Sequence, residues 1–187
     1  MNKIKIPNSD RSRALIVVDA QLAFLNARNE YIVPNILKLL EQVSYDVYIE
    51  ATFHAEKGSL WEKQQKWICP EGLETQTVTM LADILKKFNL VKVRKETKSV
   101  FKGDIDVLNL FKKRGVQEVH VVGLDTNDCV LATAYESFDS GFLTYVIEEC
   151  TESSSSEVLH KQALEILRGQ NMTNHSVVEK IYFQNIE

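Results

Sequence analysis

Cysteine is scarce in this chain of 187 residues: Cys69, Cys129 and Cys150 are the three present, an odd number with no CxxC spacing. A disulfide framework and a cysteine-held zinc site are therefore not expected in a chain long enough to build its own core. No apolar run approaches the roughly 20 residues that cross a bilayer. The charged start MNKIKIPNSDRSR lacks the apolar segment of a signal peptide, because ALIVVDAQ meets Asp19 at once. The cytoplasm is the expected compartment. Positive charge is not in excess either: 22 Lys+Arg against 26 Asp+Glu give a net charge of -4, so overall charge gives no support for a nucleic-acid partner. No GxGxxG or GxxxxGK[ST] follows a strand, which removes the usual phosphate cradles. Internal repeats are absent, and the serine run at 153–156 is the one biased segment.

What is present is ordinary globular material, 44% hydrophobic and 26% charged. That suits one compact domain over 1–187 and excludes a disordered or collagen-like chain. Short β-rich runs at 14–18, 47–51, 90–94, 119–122, 143–148 and 177–181 alternate with helical patterns. These helices run over 34–43, with Pro34 in the first turn, 80–88 and 129–140. A further helix is capped by Asp104, carries Ile105, Leu108 and Phe111, and stops at Gly115. The last opens on a Ser154–Glu157 capping box and carries Leu159, Ala163, Ile166 and Leu167. Strands separated by helices predict a three-layer α/β/α fold with a mostly parallel sheet of about six strands. The stretch at 54–79 holds Trp61 and Trp67, and its length suits a substrate-covering loop.

In such sheets ligands bind beyond the carboxyl ends of the strands. Asp19 follows the first strand, Lys95 the third and Cys129 the fourth. A carboxylate, an amine and a thiol brought together there form a coherent set. A free thiol has a pKa of about 8.5. A neighbouring ammonium and a helix N-terminus would both stabilise the thiolate, and a carboxylate can take its proton and return it to a leaving group. Cys69 and Cys150 lack a strand-end setting and read as structural.

Three segments carrying these residues resemble a known family. LIVVDAQLAF at 15–24 resembles the strand and DxQxxF opening of the isochorismatase-like cysteine hydrolases. KETKSVF at 95–101 is similar to their KxxxSxF segment, and GLDTNDCVLATA at 123–134 to their GxxTDxCVxxTA segment. The resemblance implies a six-stranded α/β/α sheet and an Asp19–Lys95–Cys129 triad. It also implies a cis peptide at Leu124–Asp125 that aims the N–H of Asp125, with that of Cys129, at an oxyanion. A homo-oligomer is implied as well. The sequence departs from the family at Asn127, where the usual residue is Asp. Nicotinamidases of this family carry a metal-binding DxH after the second strand. Here those positions are Thr52, Phe53 and His54, so neither metal nor other cofactor is expected. Isochorismatases proper lack the cysteine. The expectation is a cysteine-dependent hydrolase of a small molecule, acting at an amide or other acyl C–N bond through a thioester, with Phe24 and Trp61 lining the pocket. The alternative is a non-catalytic binding or regulatory protein on the same fold.

Overall fold

The computed structural model describes residues 11–69 and 72–173. Five strands, β1 (Ser12–Val18), β2 (Val47–Phe53), β3 (Leu90–Lys95), β4 (Val116–Leu124) and β5 (Leu143–Glu152), form one parallel sheet in the order β3-β2-β1-β4-β5. The expected sixth strand at 177–181 lies outside the described residues. Among the described residues five α-helices connect and follow the strands: α1 (Ile32–Gln42), α2 (Thr79–Leu85), α3 (Val107–Arg114), α4 (Leu131–Asp139) and α5 (Glu157–Gly169). This is the expected α/β architecture.

From Ala14 to Val18, β1 reads as an unbroken apolar run because both of its faces are covered. Leu15 and Val17 pack with Ile36, Leu39 and Leu40 of α1 and with Leu81 and Leu85 of α2. Ala14, Ile16 and Val18 face the opposite layer, with Val107 and Phe111 of α3 and Ala134 of α4. At the amino end of the sheet Arg13 donates to Glu118, which also hydrogen-bonds His120, and Tyr45 meets the other ring nitrogen of His120. Burial pushes the Glu118 carboxyl up, but its hydrogen bonds with His120 and Arg13 outweigh that and hold it at about 2. Among the described residues no helix is long and apolar enough to cross a membrane.

Two helix starts differ from the sequence reading. Asp106, not Asp104, caps α3 by accepting from the Asn109 N–H, while Asp104 accepts from the Arg94 N–H. α3 consequently buries Val107 and Phe111 and leaves Ile105 exposed. Ser156, not Ser154, caps α5. That helix buries His160, Ala163, Leu164 and Leu167, whereas Leu159 and Ile166 face outward. Gly115 ends α3 with positive φ, as expected, and Gly141, also at positive φ, follows α4.

The strand order reverses between β1 and β4, and there the two backbones nearly touch. Gly123 has φ +111°, and a Cβ on it would lie 2.0 Å from the Val18 carbonyl oxygen. Only glycine fits that approach. It brings the chain after β1 alongside the chain after β4, where the Leu124–Asp125 peptide is cis.

Candidate active site

Asp19 leaves β1 in the left-handed region, with φ 47°. Its N–H donates to the Ala51 carbonyl at 3.0 Å and its own carbonyl accepts from the Gln21 N–H at 2.7 Å. Gln21, fully buried, ties this bend to the end of β2: its amide nitrogen donates to Phe53 O at 3.1 Å, and its oxygen accepts from the Phe53 N–H at 2.6 Å. Lys95 is the last residue of β3. Its ammonium donates to Asp19 Oδ2 at 2.7 Å, to Cys129 Sγ at 3.4 Å and to the Thr97 carbonyl at 3.1 Å, and lies 5.0 Å above the Phe53 ring. Cys129 sits on a single π-type turn, Thr126–Val130, that precedes α4 rather than in the first turn of the helix itself. The three sequence-predicted residues thus meet, although they are 76 and 34 positions apart along the chain.

The Lys95 side chain is fully shielded and that of Asp19 is 3% exposed. Burial raises the Asp19 carboxyl above its ordinary value, against the pull of Lys95. Burial alone would pull the Lys95 ammonium down, but the charges of Asp19 and Cys129 outweigh it and hold it up. The thiol corrects an expectation. Burial, reinforced by the Asp19 charge, pushes Cys129 well above the free-cysteine value, and Lys95 only partly offsets this. A thiol held up in this way has to give up its proton as it reacts. Among the described residues Asp19 Oδ1 is buried without a hydrogen-bond partner.

Cys129, 6% exposed, opens into a cavity of about 470 Å³. Phe24 and Trp61 line it. Trp67, Phe53, Asn26 and Ser154 line it too and were not anticipated. Phe24 stacks on Trp67 with centroids 5.8 Å apart, and Phe53 meets Trp61 edge to face at 4.6 Å. Trp61 Nε1 donates to the Glu96 carbonyl at 2.7 Å, which pins the 54–79 segment to the end of β3. Asp125 accepts from both the N–H and the hydroxyl of Ser154.

A directional chain of hydrogen bonds holds the Cys129 turn. The Thr151 hydroxyl donates to the Gly123 carbonyl at 2.8 Å. It must therefore accept from Thr126 Oγ1 at 2.8 Å, and Thr126 in turn accepts from His160 Nδ1 at 2.9 Å. Each hydroxyl has one proton, so the chain fixes His160 as the Nδ1–H tautomer. Burial holds the His160 imidazole below its ordinary value.

The donor set for a metal does not fit. Among the described residues no three His, Cys, Asp or Glu side chains are placed to share an ion. Phe53 points into the aromatic wall, and His54 Nε2 lies 3.3 Å from Thr52 Oγ1. Burial and the nearby Arg94 hold that imidazole below its ordinary value.

No curated protein matches the chain. Solved structures do. PnC1 from L. infantum, in complex with nicotinate, shares 18% identity with a TM-score of 0.77, over 94% of this chain and 98% of that one. A nicotinamidase from Staphylococcus aureus shares 20% identity with a TM-score of 0.71, over 87% and 97%. A pyrazinamidase from Pyrococcus horikoshii in complex with zinc shares 20% identity with a TM-score of 0.70, over 87% and 97%. At these identities the likeness speaks for a common fold. The model of the isochorismatase domain matches residues 13–177, a span that holds all of the described strands but Ser12 of β1, together with the three convergent side chains, and the chain belongs to the isochorismatase family.

Proposed function

We propose that the protein is a cysteine-dependent hydrolase of a small molecule, cleaving an amide or other non-peptide acyl C–N bond through a thioester. The observation that carries this reading is the single ammonium, Lys95, held at once against Asp19 and Cys129 at the edge of a cavity. Asp19 takes the thiol proton as Sγ bonds to the carbonyl carbon. Lys95 stays charged throughout and offsets the negative charge as it passes between carboxylate and sulfur. The N–H groups of Asp125 and Cys129, both on the cavity wall, receive the oxyanion. Protonated Asp19 then gives its proton to the leaving nitrogen, the C–N bond breaks and the thioester remains. Water, deprotonated by Asp19, attacks the thioester; the acid leaves and the proton returns to sulfur.

The names of the similar structures, nicotinamidase and pyrazinamidase, agree with amide chemistry, and the 54–79 segment supplies the wall that encloses the substrate. The family resemblance adds a homo-oligomer, which light scattering checks, and the expected cytoplasmic location is checked by fractionation. The decisive test is a panel of primary amides incubated with wild type and Cys129→Ala. Ammonia release and an acyl mass increment on Cys129 are expected in wild type alone. Turnover that persists in the alanine variant refutes the assignment.

A further inference from the structure

Three carboxylates line the cavity: Asp19, Asp125 and Asp128. Asp19 is paired with Lys95, and Asp128 with Lys98. Asp125 makes no ion pair among the described residues. Its two oxygens accept from the Ser154 N–H at 2.7 Å and the Ser154 hydroxyl at 2.6 Å. Ser154 therefore fixes the carboxylate without neutralising it. Burial pushes the Asp125 carboxyl above its ordinary value, and the Ser154 hydrogen bonds only partly relieve this. Arg28 acts on it weakly, with its own guanidinium donating to the Ser153 carbonyl. With the two ion pairs set aside, Asp125 is the one carboxyl group on the cavity wall that no side-chain cation pairs among the described residues.

The other walls are aromatic. Lys95 already lies over the Phe53 ring and Lys98 over Trp61, whereas Phe24 and Trp67 stack on each other beside the open space. A cation in that space would meet aromatic faces and a fixed carboxylate together, two attractions that reinforce each other where water is excluded. An anion would face the unpaired Asp125 instead.

We infer that the preferred substrate is an amide bearing a cationic group, such as an ammonium or quaternary ammonium, seated between Asp125 and the aromatic walls. This rests on the hydrolase reading above and adds the substrate class to it. The test separates the two. Binding is measured on the Cys129→Ala variant with three benzamides of similar size: 4-(aminomethyl)benzamide, cationic at neutral pH, neutral 4-ethylbenzamide and anionic 4-carbamoylbenzoate. Both tryptophans of the chain line the cavity, so their fluorescence reports occupancy directly. The cationic amide is expected to bind about tenfold more tightly than the neutral one, a factor within the range of one such cation contact, and the anion weakest. Replacing Asp125 as well, by Asp125→Asn, should collapse the cation-to-neutral ratio while keeping the backbone N–H. Equal affinity, no affinity, or preference for the anion overturns the inference. Turnover of these amides by wild type is scored separately. Cys129-dependent hydrolysis without cation preference retains the hydrolase and discards the substrate class, whereas cation-selective binding with no acyl adduct retains the selectivity and discards the hydrolase.

Discussion

Replacing Lys95 by methionine removes the ammonium and nearly keeps the volume. The Asp19–Lys95 pair is 2.7 Å apart and both side chains are buried. At an effective dielectric of about 20 the attraction at that distance is about 6 kcal/mol. Part of it offsets the desolvation of the two ions, and removing one partner of such a pair typically costs about 3–5 kcal/mol. For a chain of this size that corresponds to a fall in Tm of about 10 °C. The loss has a pH signature. The Asp19 carboxyl already sits above its unfolded value through burial, and without Lys95 it rises further. A folded state that holds its proton more tightly than the unfolded one loses stability as pH rises above the unfolded value. The deficit of Lys95→Met is therefore largest near pH 8 and shrinks toward pH 5. Urea unfolding across that range measures it, and Asp19→Asn in the same background should recover at least half of the loss. A Lys95→Met protein as stable as wild type at pH 8, or one whose deficit is independent of pH, would show that the buried pair does not exist as described.

Other outcomes follow from the same geometry. The rate of Cys129 alkylation by iodoacetamide should keep climbing beyond pH 8.5, because burial and Asp19 hold the thiol up; a plateau near neutrality contradicts this. Glu118→Gln should cost about 3 kcal/mol at pH 7, since the shift from 4.5 to about 2 is worth about 1.4 kcal/mol per unit. That contribution is complete above the unfolded value and vanishes between pH 4.5 and 2, so acid unfolding of the variant should lack this component. His160→Ala leaves the Thr126 hydroxyl with no donor and should cost about 1–3 kcal/mol in denaturant unfolding. Because the His160 imidazole is held below its ordinary value, wild type should lose stability as pH falls below 6.5, a dependence weakened in the variant. Gly123→Ala should abolish soluble folded protein or lower its Tm steeply, because the new methyl meets the Val18 carbonyl.

The strands were legible from their short apolar runs, and the strand-end setting of Asp19, Lys95 and Cys129 from the rule that parallel sheets carry their chemistry at the carboxyl ends of their strands. Lys95 could not be separated from Lys92, Arg94, Lys98 and Lys102 by charge alone. The pleat separates it, turning Lys95 inward while Lys92 stays largely exposed. The state of the Cys129 thiol was not legible, since a sequence shows the helpful ammonium but not the burial that outweighs it. The serine run misled for a related reason. Each of four consecutive serines can cap a helix, and only the length of β5 decides that Ser156 does so while Ser154 turns to Asp125. Asp104 and Asp106 posed the same choice two residues apart. Trp67 gave no periodic signal, because its place on the wall depends on how the 54–79 segment folds back.

The bend at Asp19 restricts what this position can hold before any reaction is considered. Among residues with a side chain, aspartate and asparagine tolerate a φ of 47° best. Glutamate would deliver a carboxylate one methylene longer, but from a backbone that resists the bend. Acidity and shape are thus demanded together at one point. An alanine there would mix a backbone penalty of about 1–2 kcal/mol with the lost carboxylate, whereas asparagine keeps the curve of the chain and isolates the charge.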